Sequence, residues 1–304
     1  MGLEKPTEGK ILFETKDITC CSQPEHKLLC QRIQMVFQDP YESLNPTQTI
    51  SEIVAEPLEV HNLASSKLER EARVTRALED AILKPVVDYL HHFPHDLSGG
   101  QRQRVVIAGT LVLEPILLLA DEPVSMLDVS IRAEILNLLA ELRQNRQISV
   151  IFIKQDLGTV GYYTYRIAVM YLGRIVEIGP TQAIPKNPQH PYTKALLSVI
   201  PVPNPRLRQQ RLILQGETPF PIHLPNGCRF HPRCPWQTRP GFPASHSSRG
   251  TTRRGGSTGK CRSRRREWPA YEYSVTSGRA ILDITSVRPS ENIHGKSKYE
   301  GDRY

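Results

Sequence analysis

The stretch LSGGQRQRV at residues 97–105, together with ILLLADEP at residues 116–123, decides the fold of this 304-residue chain. Ser98 is a natural helix N-cap, and the pattern after it predicts an amphipathic helix over Gln101 to Leu113. The run from Ile116 to Ala120 is entirely apolar and has the length of a buried strand, which two carboxylates and a proline end. A buried strand that follows a helix is typical of an α/β fold with a parallel sheet.

The same alternation of helices and apolar strands continues on both sides of this stretch. Upstream, the pattern predicts in order two short strands, a loop and a charged helix: 10–13, 33–37, 39–47 and 67–83. Downstream, it predicts a helix, a buried strand, a hairpin and a further helix: 131–143, 148–153, 167–178 and 190–199. The sequence therefore predicts crossover units that build a parallel sheet.

The charge of the chain lies almost entirely in its last quarter. The net charge is +8, yet residues 231–304 hold 15 basic against 6 acidic side chains. The body is nearly neutral, so the composition gives no reason to expect a nucleic-acid-binding body. The 25 prolines argue against a helical bundle, and no apolar run approaches the roughly 18 residues of a membrane-spanning helix. Six cysteines and no apolar N-terminal signal predict reduced thiols or a metal site, not a disulfide scaffold.

Two motifs carry candidate chemistry. Asp121 and Glu122 follow a buried strand, where carboxylates of a parallel sheet can hold Mg²⁺ or polarise a water. Ser98, Gly99 and Gly100 begin a helix, whose exposed N–H groups and dipole attract an anion. Each motif alone also fits a plain structural interpretation, a turn for the first and a helix cap for the second. Their order and spacing together favour the functional interpretation.

These motifs, with several others, resemble the ATP-binding subunits of ABC transporters, and closely those of oligopeptide and dipeptide importers. The matching segments are FQDPYESLNP (37–46), LSGGQRQRV (97–105), ILLLADEP (116–123), SMLD (125–128), YLGRIVEIGP (171–180), HPYTKALLSVIP (190–201) and GCRFHPRCP (227–235). The resemblance covers about Lys5 to Pro235. It implies a P-loop NTPase-like nucleotide-binding domain over residues 1–180, with a parallel core sheet and a helical signature subdomain at about 48–113. Residues 181–235 would be the C-terminal extension of the peptide-importer branch. Beyond the resemblance, the Arg-, Ser-, Gly- and Thr-rich composition of 237–266 predicts that 236–304 is a basic, disordered tail.

The resemblance also implies a role for each matching residue. Two such domains would enclose ATP, so that Ser98, Gly99, Gly100 and Gln101 contact a nucleotide held by the partner, and Asp128 joins the two sites. In the chain's own site Gln38 and Asp121 would hold Mg²⁺, and Glu122 would act as general base or position the attacking water.

Two departures from the family pattern bear on activity. The family places a GxxxxGK[ST] loop before the segment that here is Pro6 to Ile11, so we expect a domain that is incomplete at its N-terminus. Gly9-Lys10 and Gly259-Lys260 are not substitutes, because neither is followed by Ser or Thr. The family's switch histidine is Gln155 here, and an amide cannot carry the imidazole proton. We expect that the chain alone neither binds ATP tightly nor hydrolyses it.

The cysteines and histidines give weaker indications of a functional site than these motifs do. Cys228 and Cys234 match two ligands of an iron–sulfur cluster that some members of the importer branch hold. With Cys261 as the one remaining late cysteine, a cluster of four thiolates is not expected. The early Cys20, Cys21 and Cys30 are interpreted as free thiols. The H-H-x-x-H spacing of His91, His92 and His95 is interpreted as exposed histidines, not as a metal site.

The predicted function is that of an ATP-binding subunit that couples ATP binding and hydrolysis to solute uptake, with its own site impaired. Its partners would be a second, non-identical ATPase subunit and membrane-spanning permease subunits, with a solute-binding protein acting indirectly. It would lie at the cytoplasmic face of the membrane. A non-catalytic truncated remnant and, last, a nucleic-acid binder acting through the basic tail remain as alternatives. The sequence does not identify the solute.

Overall fold

Parallel strands that end at one edge form the centre of the molecule. The computed structural model describes residues 2, 4–155, 157–200 and 211–235, and the backbone of 279–282. Strands β3 (Ile33–Val36), β4 (Leu117–Asp121) and β5 (Ser149–Lys154) pair in parallel, with Val36 opposite Ala120 and Asp121 opposite Ile153. Alternate side chains of β4 and β5 are buried, which gives the sheet one tightly packed face. The predicted parallel α/β architecture is confirmed.

The other half of the sheet is antiparallel. Strands β6 (Arg166–Tyr171) and β7 (Arg174–Pro180) form the predicted hairpin, and β8 (Arg279–Leu282) lies between β5 and β6. The strand order is therefore β3-β4-β5-β8-β6-β7. A separate two-stranded hairpin, β1 (Leu12–Phe13) with β2 (Lys16–Asp17), lies near the beginning of the chain.

Within the tail that the sequence predicts to be disordered, 236–304, the structure describes the backbone of Arg279–Leu282, which forms a strand of the central sheet. Strand β8 fills a position between two strands whose edges need hydrogen-bond partners, and this gives the segment a reason to order. The most polar part of the tail, residues 237–266, lies outside the described residues.

Three helices form the predicted helical region beside the sheet: α3 (Ile50–His61), α4 (Lys67–Asp80) and α5 (Gly99–Leu111). Their apolar faces share one continuous core with β3, β4 and β5 and with α6 (Val129–Arg146). The predicted loop at 39–47 contains a short helix, α2 (Pro40–Ser43), which Asp39 caps by accepting from the N–H of Tyr41. The remaining helices are α1 (Gln23–Arg32) and α7 (Leu157–Tyr163).

The segment after the hairpin packs on β6 through aromatic side chains. Helix α8 (Pro191–Ser198) supplies Tyr192, and the later segment 227–235 supplies Phe230. The Phe230 ring meets Tyr171 edge to face, with centroids 5.1 Å apart, and also contacts His190 and Tyr192. Phe230 is 1% exposed, so residues 227–235 are anchored to the core of β6 although little regular structure surrounds them.

Within the described part of the chain, no helix is long and apolar enough to cross a membrane.

Candidate functional site

Four of the predicted site residues lie at the carboxyl ends of neighbouring strands. Gln38 comes two residues after β3, Asp121 and Glu122 end and follow β4, and Gln155 follows β5. The parallel register of these strands places all four at one edge of the sheet. In open parallel sheets this edge is where ligands bind.

Gln38 and Glu122, 84 positions apart in sequence, meet at this edge. The Gln38 amide nitrogen lies 3.4 Å from a Glu122 carboxylate oxygen, a long hydrogen bond with the amide as donor. The backbone of Glu122 has φ of +43°, in the left-handed region that few non-glycine residues adopt. Its N–H donates to the Ile153 carbonyl at 3.0 Å, and the Ser125 hydroxyl donates to its carbonyl at 3.1 Å. These bonds hold the strained turn that carries the Glu122 side chain.

The Asp121 carboxyl has an environment that suits a bound cation. Burial raises its pKa above the ordinary value of 3.8, and no nearby positive charge offsets that effect. Within the described residues its carboxylate has neither a hydrogen-bond donor nor an ion-pair partner. Carboxylate and amide oxygens are donors that Mg²⁺ accepts, so Asp121 and Gln38, which lie at the same edge of the sheet, have the chemistry to supply ligands to the ion.

Gln155 is exposed at the same edge. It follows Lys154, which is buried on β5, and the next residue, Asp156, lies outside the described residues. Its amide is therefore available to a ligand at the sheet edge.

The beginning of α5 is a capped helix start with unpaired backbone N–H groups. Ser98 is the N-cap, as predicted, and forms a capping box: its N–H donates to the Gln101 amide oxygen at 2.9 Å, and its hydroxyl accepts from the Gln101 N–H at 3.3 Å. The helix begins at Gly99, two residues before the predicted start, so both glycines lie in its first turn and the N–H groups of Gly99 and Gly100 have no intrahelical acceptor. These two N–H groups and the helix dipole can bind a phosphate oxygen.

Helix α6 begins directly beside the glycines. A Cβ built on Gly100 would lie 2.7 Å from the Ile131 Cγ2, and one on Gly99 would lie 3.6 Å from a Leu127 methyl. Asp128 precedes α6 at its N-cap position, but its exposed side chain makes no capping hydrogen bond. The Asp128 carboxylate is therefore free to act outside its own helix, next to the first turn of α5.

Three side chains that the sequence did not single out support these two regions. The Arg102 guanidinium lies over the Tyr41 ring, 4.3 Å from its centroid, and donates to the Pro94 carbonyl at 2.6 Å. This pair joins the segment after Gln38 to the beginning of α5. Arg132 donates to the Leu127 carbonyl at 2.6 Å, which fixes the turn before Asp128. The one sequence signal for Tyr41 and Arg102 is that they lie within the segments FQDPYESLNP (37–46) and LSGGQRQRV (97–105).

The cysteines and histidines stay apart from this site. Cys228 is exposed and Cys234 is half-buried, and no group of three or more metal-ligating side chains occurs among the residues that the structure describes. Cys261 lies outside them. His91, His92 and His95 are exposed, as expected. Lys10 is also exposed, and its Nζ lies 3.7 Å from an Asp17 carboxylate oxygen.

Comparison with protein families and known proteins agrees with this geometry. The family described as ABC transporter matches residues 1–125, and the oligopeptide/dipeptide transporter C-terminal region matches residues 176–239. Oligopeptide transport ATP-binding protein AppF of Bacillus subtilis is 45% identical over 236 residues, 77% of this chain and 71% of that protein. "Probable peptide ABC transporter ATP-binding protein y4tS" of Sinorhizobium fredii is 46% identical over 235 residues, 77% of this chain and 66% of that protein.

Solved structures give the same fold. The cbiO1 protein of Clostridium perfringens, part of the ABC transporter complex cbiONQ, matches with a TM-score of 0.54 and 33% identity over 60% of this chain and 69% of its own. The ATP-binding cassette MJ0796, in a dimer bound to ADP and phosphate, matches with a TM-score of 0.52 and 31% identity over 60% of this chain and 77% of its own. The sequence, the site geometry and these likenesses together place the chain in the ABC transporter family, among the ATP-binding proteins of peptide and oligopeptide import.

Proposed function

We propose that this subunit lends the first turn of α5 to a nucleotide held by a second, non-identical ATPase subunit. The observation that carries this proposal is the capped helix start at Ser98, whose Gly99 and Gly100 N–H groups have no acceptor within the helix. Asp128 lies exposed beside them. A γ-phosphate that the partner brings to this surface would meet two N–H groups and the positive end of the helix.

The residues at the sheet edge would form the other half of a nucleotide site. ATP binds with Mg²⁺, which neutralises charge on the phosphates and orients them when bound. Asp121 and Gln38 would hold the ion, Glu122 would position the attacking water, and Gln155 would donate to a γ-phosphate oxygen. The hydrogen bond between Gln38 and Glu122 supports a role for Gln38 in reporting the state of this site.

This second half lacks a phosphate cradle within the 304 residues. No GxxxxGK[ST] sequence occurs in them. Residue 155 is a glutamine, whose amide cannot carry the proton of an imidazole. We propose that the chain contributes its α5 surface to catalysis in the partner's site.

The partner set follows from the family. Membrane-spanning permease subunits would receive the motion of the paired ATPases, and the stacked pair of Tyr41 and Arg102 gives a direct path from the segment after Gln38 to α5. We propose a position at the cytoplasmic face of the membrane, on those permeases. A peptide or a related solute would reach them through a solute-binding protein.

An association experiment tests the proposal. The full chain is mixed with a peptide-import ATPase subunit that has an intact GxxxxGK[ST] loop and whose catalytic glutamate is replaced by glutamine. We expect a 1:1 complex by light scattering in Mg·ATP but not in Mg·ADP. Ser98→Arg should abolish the complex, because the larger cation removes the cap and blocks the two N–H groups. The matched variant Gly109→Ala, at an open position of the same helix, should preserve it.

Two results would contradict the proposal. One is an ATP-dependent complex that Ser98→Arg leaves unchanged. The other is tight Mg·ATP binding by the chain alone, because it would show that the 304 residues already hold a complete phosphate site.

A further inference from the structure

The turn that precedes α6 is fixed at one point by apolar packing. Leu127 is 6% exposed, and a Cβ built on Gly99 would lie 3.6 Å from one of its methyl groups, so the turn lies against the first residue of α5. Its neighbours Met126 and Asp128 are exposed. Since the Asp128 side chain makes no capping hydrogen bond, α6 does not itself hold this carboxylate in place. The direction of Asp128 therefore depends on how the backbone of the turn is held.

Arg132 is the residue that holds this backbone. Its Nε donates to the Leu127 carbonyl at 2.6 Å, and its Nη2 donates to the Ser125 carbonyl at a longer 3.5 Å. Its main-chain N–H donates to the Asp128 carbonyl at 2.9 Å. One residue thus binds three of the four carbonyl groups of residues 125–128. A guanidinium suits this task because its donors have a fixed, forked arrangement.

The stability of α6 does not explain the position of Arg132. It is the fourth residue of the helix, near the positive end of the helix dipole, where a cation is unfavourable and an acidic side chain would stabilise. No ion pair joins it to a carboxylate of the described residues, and this includes Asp128, four positions earlier. The guanidinium therefore binds the carbonyls of the turn and leaves the Asp128 carboxylate unneutralised.

The neighbouring helix α5 has the same arrangement. Arg102 is likewise the fourth residue of its helix, and its Nε donates at 2.6 Å to the carbonyl of Pro94, four residues before the Ser98 cap. The proposed function assigns both helix starts to the partner's nucleotide. Each of them is held by an arginine that folds back over the N-terminus of its own helix.

We propose that Arg132 is a positioning residue for Asp128. By holding the carbonyls of Ser125 and Leu127, it keeps the exposed Asp128 carboxylate beside the first turn of α5, where a second ATPase subunit would meet both. This inference deepens the proposed function and rests on it for the effect on turnover. The effect on the turn itself needs neither nucleotide nor partner.

The first test measures the turn in the full chain alone. Arg132→Met keeps the apolar stem without a side-chain donor, Arg132→Lys keeps a cation that can reach one carbonyl, and Arg76→Met removes an exposed arginine of α4 as the control. Amide hydrogen exchange at Ser125 and Leu127 should accelerate at least fivefold in Arg132→Met, less in Arg132→Lys and not in Arg76→Met. Exchange in β4 should stay unchanged in all three variants. Unchanged exchange at the turn in Arg132→Met, or an equal acceleration in β4, would overturn the proposal whatever the partner does.

The second test measures turnover at a partner's site. The partner is a peptide-import ATPase subunit with an intact GxxxxGK[ST] loop whose own signature serine is replaced by arginine, so that only this chain can supply an α5 surface. Arg132→Met should lower kcat at least fivefold and leave KM for Mg·ATP within twofold, because the variant misplaces Asp128 while the partner still binds its nucleotide. Asp128→Ala should also lower kcat, and adding Arg132→Met to Asp128→Ala should cost less than a further twofold.

The positioning role and the proposed function fail separately in these tests. If the unmodified chain restores no turnover, the proposed function fails, and the exchange measurement still decides whether Arg132 holds the turn. If the chain restores turnover but the Arg132→Met chain restores as much, the positioning role alone is overturned. It is also overturned if the losses of Arg132→Met and Asp128→Ala multiply in the double variant, because Arg132 would then not act through Asp128.

Discussion

Replacing Gly100 by alanine tests how closely the first turn of α5 must approach α6. A Cβ at this position would lie 2.7 Å from the Ile131 Cγ2, closer than side-chain carbons approach in folded proteins. The contacted atom is a methyl on the Cβ of a β-branched residue, which has one strongly preferred rotamer in a helix. The clash cannot be relieved by rotating a flexible chain end, so the two helices must move apart.

The expected loss of stability follows from a comparison of two glycines in the same helix. Overpacking of this kind costs about 1–3 kcal/mol, whereas alanine gains about 0.5–1 kcal/mol over glycine within a helix. Gly109 lies on the same helix with nothing within 4 Å of its built Cβ, so Gly109→Ala should show the gain without the clash. The difference in the free energy of unfolding between the two variants should be about 1–3 kcal/mol.

Urea denaturation followed by circular dichroism measures this difference. With a slope of about 2 kcal/mol per molar urea, the midpoint of Gly100→Ala should lie about 0.5–1.5 M below that of Gly109→Ala. Ile131→Ala in the Gly100→Ala background should remove most of the gap, because it deletes the contacted methyl. A Gly100→Ala midpoint equal to or above that of Gly109→Ala would refute the close approach.

Two further predictions concern the sheet edge and the aromatic anchor. Because burial raises the folded-state pKa of Asp121, the native protein loses stability as pH rises from 3.8 through that raised pKa. Asp121→Asn should therefore be more stable than the unmodified protein at neutral pH but not below pH 3.8. An equal difference at both pH values in urea melts would contradict this prediction. Phe230→Ala should lower the free energy of unfolding by about 3–5 kcal/mol, because the buried ring joins residues 227–235 to β6. Phe220→Ala is the control, since that ring is 65% exposed, and it should change stability by less than about 0.5 kcal/mol. Similar losses in both variants would show that Phe230 does not anchor residues 227–235.

The local signals of the sequence predicted much of the fold. Ser98 with Gln101 is a capping pair in the sequence and in the structure, and the apolar runs that became β4 and β5 are shifted by one residue from the predicted strands. The hydrophobic pattern did not predict α3 as a separate helix within the predicted helical subdomain, although Thr49 and Glu52 form a capping box at its start. Pro57 lies inside that helix and obscures its pattern, because proline is usually read as a helix breaker.

Strand β8 could not be predicted because its cause is not local. Its four residues are too few for a periodic signal, and their partners on β5 and β6 lie more than 100 positions earlier. The position between β5 and β6 that these residues fill exists only once β5, α7 and β6 have formed.

The candidate site, like the fold, could be predicted only in part from the sequence. Gln38 and Glu122 each follow a predicted strand, so their meeting follows from the parallel order of the sheet. The stacking of Arg102 on Tyr41 depends on how a short helix packs against α5, which no periodicity encodes. Chain geometry therefore accounts for the edge residues, whereas the link between the two halves of the site required the structure.

The most direct test of the central claim is ATP turnover by a mixed pair. A peptide-import ATPase subunit with an intact GxxxxGK[ST] loop, but with its own signature serine replaced by arginine, should be inactive as a homodimer. Adding the full chain should restore turnover, and Glu122→Gln in this chain should leave that turnover unchanged. Ser98→Arg in this chain should reduce turnover by about a hundredfold or more, which is the usual loss when preorganised hydrogen-bond donors to developing charge are removed. Equal restoration by the Ser98→Arg chain would contradict the claim that α5 serves the partner's nucleotide.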